Sequence, residues 1–330
     1  MKQQSNVARR GVVWALACGL MGAAPLAQAQ AAWPSKPIRL LVGAPPGGSA
    51  DSLARLLAEG LQHDLGKPVI VESKPGAAGV LAVNDLLANG KDGHTFLVIQ
   101  GGIVSETPLA YKVNYQPFRD LKPLAQISRT GLVLVANKDV PAANLQELLA
   151  YAKTQKEGLN FASYATGMKG HSSGMLLGQL AHVEMKHVGY KGSPPGLTDL
   201  MGGHVPLMFD GLPSSLPLIK AGKIKAIAVN YPTRIAELPQ VPTFKELGYP
   251  QLAQAGWFAV WSRPDAPPEV QQKIRELTQK HFQQAAVQAR VREMGMDAPG
   301  VFTSDELMAD LKQAHQQQAA LLKSINYQPQ

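Results

Sequence analysis

From residue 38 to residue 229 this chain alternates short apolar runs with stretches of helical spacing, and that alternation leaves few folds open to it. The run Ile38-Arg39-Leu40-Leu41-Val42-Gly43 reads as a strand. Leu53, Leu56, Leu57, Leu61 and Leu65 then recur at helical spacing between Arg55, Glu59 and Gln62. Gly66 supplies a left-handed stop and Pro68 prevents continuation. A strand at 68–72, a helix from about 78 to 89 and a strand at 94–100 follow. Residues 124–136 form one long extended stretch, and Asn144-Leu145-Gln146-Glu147 is a capping box opening a helix over 145–156. Strands at 159–164, 185–190, 205–209 and 224–229 then alternate with helices at 171–182, 194–201 and 215–221. Such repetition implies an α/β fold with a mainly parallel sheet covered on both faces.

The last part of the chain differs. Gly256-Trp257-Phe258-Ala259-Val260-Trp261 reads as a strand, and Pro264, Pro267 and Pro268 break the chain after it. Two helices, 268–283 and 304–323, follow with no strand between them. Residues 132–136 and this late strand are expected to be antiparallel partners running between two lobes, with the C-terminal helices returning to the first. That reading divides the chain into a first lobe of 30–130 and 256–330 and a second lobe of 131–255. Trp257, Phe258 and Trp261 are expected to pack between the lobes.

Residues 1–30 carry Lys2, Arg9 and Arg10, no acidic residue, and an apolar stretch from Gly11 to Leu26. Ala27-Gln28-Ala29 fits a small-x-small cleavage site, so 1–29 reads as a cleaved signal peptide and the mature protein as periplasmic. Arg9-Arg10 raises a twin-arginine route, and Cys18 a lipoprotein; the residues around both match those patterns poorly. Cys18 is the single cysteine, which leaves the mature chain without a disulfide or a thiolate metal site. Removing Lys2, Arg9 and Arg10 from a formal charge of +8 leaves +5, scattered without a basic run or interleaved aromatics, so nucleic acid is not an expected partner.

Two turns stand where a ligand would. Pro46-Gly47-Gly48-Ser49-Ala50-Asp51 and Pro75-Gly76-Ala77-Ala78-Gly79 each close a strand and open a helix. Glycine permits positive φ and leaves no side chain between backbone and ligand. The helix behind each turn offers amides and a partial positive end. Side by side at the carboxyl edge of a sheet, they make a cleft suited to a carboxylate.

Trp33-Pro34-Ser35-Lys36-Pro37-Ile38, the two turns and Asp92-Gly93-His94-Thr95 together resemble the tripartite tricarboxylate transporter substrate-binding proteins, the Bug-type receptors. The likeness runs on through His187-Val188-Gly189-Tyr190-Lys191-Gly192, Asp210-Gly211-Leu212-Pro213-Ser214-Ser215, Ala221–Val229, Val241-Pro242-Thr243 and Gly256-Trp257-Phe258, across nearly the whole mature chain. The resemblance implies a two-lobed periplasmic binding protein of type II architecture, a monomer without cofactor or metal. It would close on a small carboxylated solute (a di- or tricarboxylate, an acidic amino acid or an aromatic acid) and deliver it to membrane permease subunits. Carried over by position, the ligand loops fall at 44–51, 76–79, 101–103, 164–171 and the turn at Asp210. The residues so implied are Ala44, Pro46, Gly47, Gly48, Asp51, Gly76, Ala77, Gly79, Gly101, Gly102, Thr166, Gly167, Lys169, Gly170, His171 and Asp210. One loop departs from the family pattern: Ala165-Thr166-Gly167-Met168-Lys169-Gly170-His171 is a residue shorter and lacks the usual Ser or Thr, which Thr166 or Lys169 would replace.

Several of these residues also have plainer readings. The turn at 46–51 serves equally as a helix start with Asp51 favouring the dipole. His171 reads as a packing residue as readily as a contact, Lys191 as a solvated lysine, and Asp210 as a brace for loop amides. Gly170-His171-Ser172-Ser173-Gly174 matches a nucleophile elbow and keeps a serine hydrolase on Ser172 as an alternative, although Ser172 falls inside a predicted helix. A periplasmic sensor signalling to a membrane protein is the other. His182 and His187, five apart, make a poor metal pair, and neither a phosphate loop nor a dinucleotide fingerprint occurs.

Overall fold

The computed structural model describes residues 33–329, so the expected signal peptide at 1–29 lies outside the described residues. The chain builds β1 (Ile38–Val42), α1 (Ser49–Leu65), β2 (Val69–Ser73), α2 (Val80–Asn89) and β3 (Thr95–Gln100). Three single-turn helices follow, α3 (Gly102–Ser105), α4 (Thr107–Ala110) and α5 (Pro117–Asp120), and then β4 (Lys122–Thr130). Next come β5 (Leu132–Asn137), α6 (Leu145–Thr154), β6 (Leu159–Ser163), α7 (Lys169–Ala181), β7 (Met185–Gly189), α8 (Ser193–Met201), β8 (Leu207–Gly211), α9 (Leu212–Lys220) and β9 (Ile224–Val229). The chain ends with β10 (Gly256–Ser262), α10 (Pro268–Phe282), α11 (Ala285–Glu293) and α12 (Ser304–Ser324).

These strands form two five-stranded sheets of matching layout, β2-β1-β3-β10-β4 and β7-β6-β8-β5-β9. In each, four strands run one way. The reversed strand, β10 or β5, lies second from one edge and is antiparallel to both neighbours. The α/β class and the two-lobed, mainly parallel architecture follow. Two details depart from expectation. The extended stretch at 124–136 is broken at Gly131, where a side chain would meet the ring of Tyr231, and its two halves enter different sheets. The reversed strands also do not pair with each other: Val260 faces Val98 in the first sheet and Leu134 faces Phe209 in the second. Each buries its apolar residues inside its own lobe, which a pairing across the lobes would not allow.

The second sheet shows why the strands are apolar throughout. Leu132, Leu134 and Ala136 of β5 pack with Phe161 and Phe209 beneath α6 and α7, while Val133 and Val135 pack with Met208 beneath α8 and α9. A strand covered on both faces has no polar alternation to show. In the first sheet Leu41, Leu97, Ala259 and the fully buried Trp261 form a core with residues of α2, α3 and α12. Arg39 of β1 ties this sheet to α2, forking onto Glu72 at 2.6 and 2.7 Å and onto Asp85 at 3.2 Å.

Helix boundaries follow the local signals. Gly66 ends α1 at φ +63°, and the Asn144 side chain accepts the Glu147 amide at 2.9 Å to open α6. Strand β8 begins two residues later than expected, which puts Asp210 within the strand, opposite Val133, rather than at a turn. The single-turn helices and α11 had not been anticipated. Only Val287 and Val291 of α11 are buried, too few to make a periodic signal in a polar segment.

Candidate functional site

The carboxyl ends of β1, β2, β3, β6, β7 and β8 face one cavity of about 330 Å³ between the two sheets. Its first wall comes from the segments after β1 and β2, with Ile99, Gln100, Ile103, Tyr111 and Phe258; the second comes from the segments after β6 and β7, with Gly211. Loops at strand carboxyl ends are where α/β folds place ligands, and this volume suits a small organic molecule.

Helix α1 starts at the first wall. Its opening helical bond runs from the Ser52 amide to Gly48, so the amides of Ser49 and Ala50 have no intrahelical acceptor. Asp51 holds this turn: its carboxylate accepts the Gly47 amide at 3.0 Å and pairs with Arg55 through two bonds of 3.0 Å. Beside it, Ala77 and Ala78 sit at φ +44° and +50°, between Gly76 at +130° and Gly79 at +97°. Left-handed alanines cost about 1–2 kcal/mol each. The strained turn is braced by the Gly79 amide on Gly76 and by the Thr107 hydroxyl on the Ala78 carbonyl.

The second wall is held by polar side chains committed to one another. Ser193, at the start of α8, donates its hydroxyl to Asp210, and Ser215 donates to the other carboxylate oxygen at 2.7 Å. Burial pushes the Asp210 carboxyl up to about 6, against the pull of these two hydroxyls. Tyr190 donates to Asp199 at 2.7 Å, and burial with that carboxylate raises the phenol to about 12. The Tyr111 oxygen accepts from Thr166. Gly192, at φ +103°, donates to the Tyr164 carbonyl and lies so close to Pro45 that a side chain there would collide with the proline ring.

Of the residues expected at the site, Ala44, Gly48, Gly76, Ala77 and Thr166 line this cavity. Pro46 and Gly47 lie on the exposed tip of the first turn. Gly79 stands behind the wall against Ile99, and Asp51 and Asp210 sit beneath it as braces. Gly101, Gly102 and Lys169 line a separate cavity of about 50 Å³ together with Glu106, Trp257 and Asp310. Gly167, Gly170 and His171 form the start of α7: the Gly167 amide donates to His171 Nδ1 at 2.9 Å, and the imidazole stacks on His187 at 3.9 Å. Burial lowers these histidines to about 4 and about 3, with His171 adding to the shift of His187, and His187 Nε2 lies 2.7 Å from the Ser163 hydroxyl.

Tyr111, Tyr190 and Ser193 line the cavity from outside the expected loops, Ser49, Tyr164 and Met168 line it from within the loops at 44–51 and 164–171, and Phe258 lines it where packing between lobes was expected. Lys191, read as solvated, is exposed yet also borders the cavity. A signal for Ser193 was present, since Gly192-Ser193-Pro194-Pro195 is a helix start directly after a strand. Ser172 lies inside α7, where it donates to the Lys169 carbonyl at 3.2 Å, rather than on a strand-to-helix elbow. Among the described residues there is no cluster of three metal-ligating side chains, and no helix is long and apolar enough to cross a membrane.

Known proteins are similar to this chain in sequence and in fold. The model of the tripartite tricarboxylate transporter family receptor matches residues 53–327. BugT of Bordetella pertussis is 34% identical over 259 residues, covering 77% of either chain. A Rhodopseudomonas palustris protein solved with adipate is 29% identical at a TM-score of 0.87, over 90% of this chain and 100% of that one. MatC from the same organism, solved with bound malate, is 26% identical at a TM-score of 0.81, over 88% and 100% of the two chains.

Proposed function

We propose, for a chain that belongs to the tripartite tricarboxylate transporter family of receptors, the role of a periplasmic receptor. It captures a small carboxylate between two lobes and hands it, chemically unchanged, to membrane permease subunits. The observation that carries this reading is the cavity between the sheets, where the start of α1, the turn at Gly76–Gly79 and Lys191 meet with no acidic side chain on the wall. Backbone amides at a helix start offset the desolvation of an anion without a matching arginine. The adipate and malate bound to two structural relatives support the same chemistry. The lobes we assign are 30–130 with 256–330, and 131–255; the two chain crossings between the sheets serve as the hinge.

A thermal-shift screen of the protein lacking residues 1–29 tests the reading. A carboxylate at 100 times its Kd adds about 2.7 kcal/mol, which moves the midpoint by several degrees at this size. Absence of any shift with every acid, after retained solute is removed by unfolding and refolding, overturns it. Delivery to a permease is read separately: deleting the gene abolishes uptake of the bound acid, whereas intact uptake favours the sensor alternative.

A further inference from the structure

We infer that α12 is a strap across the two lobes: Gln318 and Tyr327 grip the Thr166–Met168 stretch of the cavity wall once the lobes are together, so a helix outside the cavity helps to hold the solute. This rests on the receptor reading and adds a closing device to it. The helix is rooted at one sheet and ends against the other. Leu307 and Leu311 belong to the core of the first sheet, and 21 residues at 1.5 Å each make a rod about 30 Å long. Leu307, Leu311, Gln318 and Leu322 are its buried residues, and Gln318 is the polar one among them. A buried amide is costly unless it is hydrogen-bonded. Gln318 finds its partners on the second lobe, with Nε2 at 3.2 Å from both the Gly167 carbonyl and Ser172 Oγ.

The peptide groups of Gly167 are thereby held on both sides. Its amide donates to His171 Nδ1 at 2.9 Å, and its carbonyl accepts from Gln318. Tyr327 backs that imidazole edge-on, with ring centroids 5.3 Å apart, while its hydroxyl donates to the Ala110 carbonyl of the first lobe at 3.4 Å. The end of α12 is built to place this ring. Asn326 turns left-handed at φ +53°, its amide donates to the Lys323 carbonyl at 3.1 Å, and the Tyr327 amide returns to Leu322 at 3.0 Å. Those two bonds make a Schellman motif. Thr166 and Met168, on either side of Gly167, line the cavity, and each also meets the first lobe: Tyr111 accepts from Thr166, and Thr107 donates to Met168 Sδ. When the lobes part, Gln318 and Tyr327 leave with the first lobe and Gly167 keeps only His171. The strap's contacts therefore belong to the closed state alone and shift the population toward it.

Isothermal titration of adipate, malate, citrate, glutamate and benzoate into the refolded protein lacking residues 1–29 selects the tightest of them as the probe. We expect Gln318→Ala and Tyr327→Ala each to bind that probe at least fivefold more weakly, and Tyr327→Phe, which keeps the ring on His171, to stay within twofold of the parent. Hydrogen exchange at saturating probe then separates gripping from general stability. In the parent, exchange at 165–168 should slow at least tenfold on binding. In Gln318→Ala it should slow less than threefold, while the turn at 76–79 slows alike in both. Unchanged affinity in both alanine variants, or equal protection of 165–168 in parent and variant, overturns the strap and leaves the receptor reading standing. Failure of every acid to bind the parent overturns the receptor reading and the strap with it. If Gln318→Ala does not fold, the same two measurements on Tyr327→Ala, changed at a half-buried position, decide.

Discussion

Asp210 shows how a buried residue can shape the cavity wall from beneath it. It is fully buried, and its carboxylate holds Ser193 at the cavity wall while burial raises its carboxyl to about 6. The folded state thus binds this proton more tightly than the unfolded chain, whose carboxyl titrates near 3.8. The stability so contributed is fully present below about pH 3.8 and is lost as pH rises through about 6. A shift of about two units corresponds to about 3 kcal/mol. Asp210→Asn cannot ionise, so the stability advantage of the parent over the variant should shrink by about that amount between pH 4 and pH 7. Urea denaturation at both pH values measures it, and a pH-independent difference would mean that the carboxyl titrates in the fold as it does in the unfolded chain. The apolar run before Asp210 marked it in the sequence as a residue with a partner. Its partners were not legible, because Ser193 and Ser215 reach it only once α8 and α9 are folded against β8.

At the scale of elements, the start of α7 is where the sheets touch through a charged group. Glu106, between α3 and α4, accepts the Lys169 amide at 2.9 Å, and its other oxygen lies 4.0 Å from Lys169 Nζ. An acid from one lobe therefore caps a helix of the other, favoured by the helix dipole. A hydrogen bond to a charged group is worth about 1.5–3 kcal/mol net. If it forms only when the lobes are together, Glu106→Ala should weaken solute binding about tenfold or more. Glu106→Gln, which keeps an acceptor, should lose less. Calorimetry on both variants decides, and unchanged affinity in Glu106→Ala would place the bond outside closure. Periodic elements such as α1 and α6 were legible because an apolar stripe and a cap recur at fixed spacing. The single turns α3, α4 and α5 were not, since four residues cannot show a period, and Glu106 stands among them.

At the scale of the molecule, the α/β class was legible in the sequence because strand and helix periods alternate over nearly two hundred residues. The partners of β5 and β10 were not, because pairing is a long-range choice made by burial on both faces, and each strand ended in its own sheet. The glycine turns were legible as the first wall of the cavity. Its aromatic residues were legible only at Tyr164, within the loop at 164–171, since Tyr111 and Phe258 come from segments far apart in the chain. The two walls meet where Gly192 packs on Pro45, at a φ of +103° that suits glycine and with no space for a side chain. Gly192→Ala should therefore keep the lobes apart: the left-handed region disfavours the alanine, and its β-carbon enters the proline ring. Small-angle scattering measures the result. The parent protein should contract when its solute is added, while Gly192→Ala stays expanded and binds at least tenfold more weakly. Contraction of the variant to the parent's dimensions would show that this contact does not govern closure.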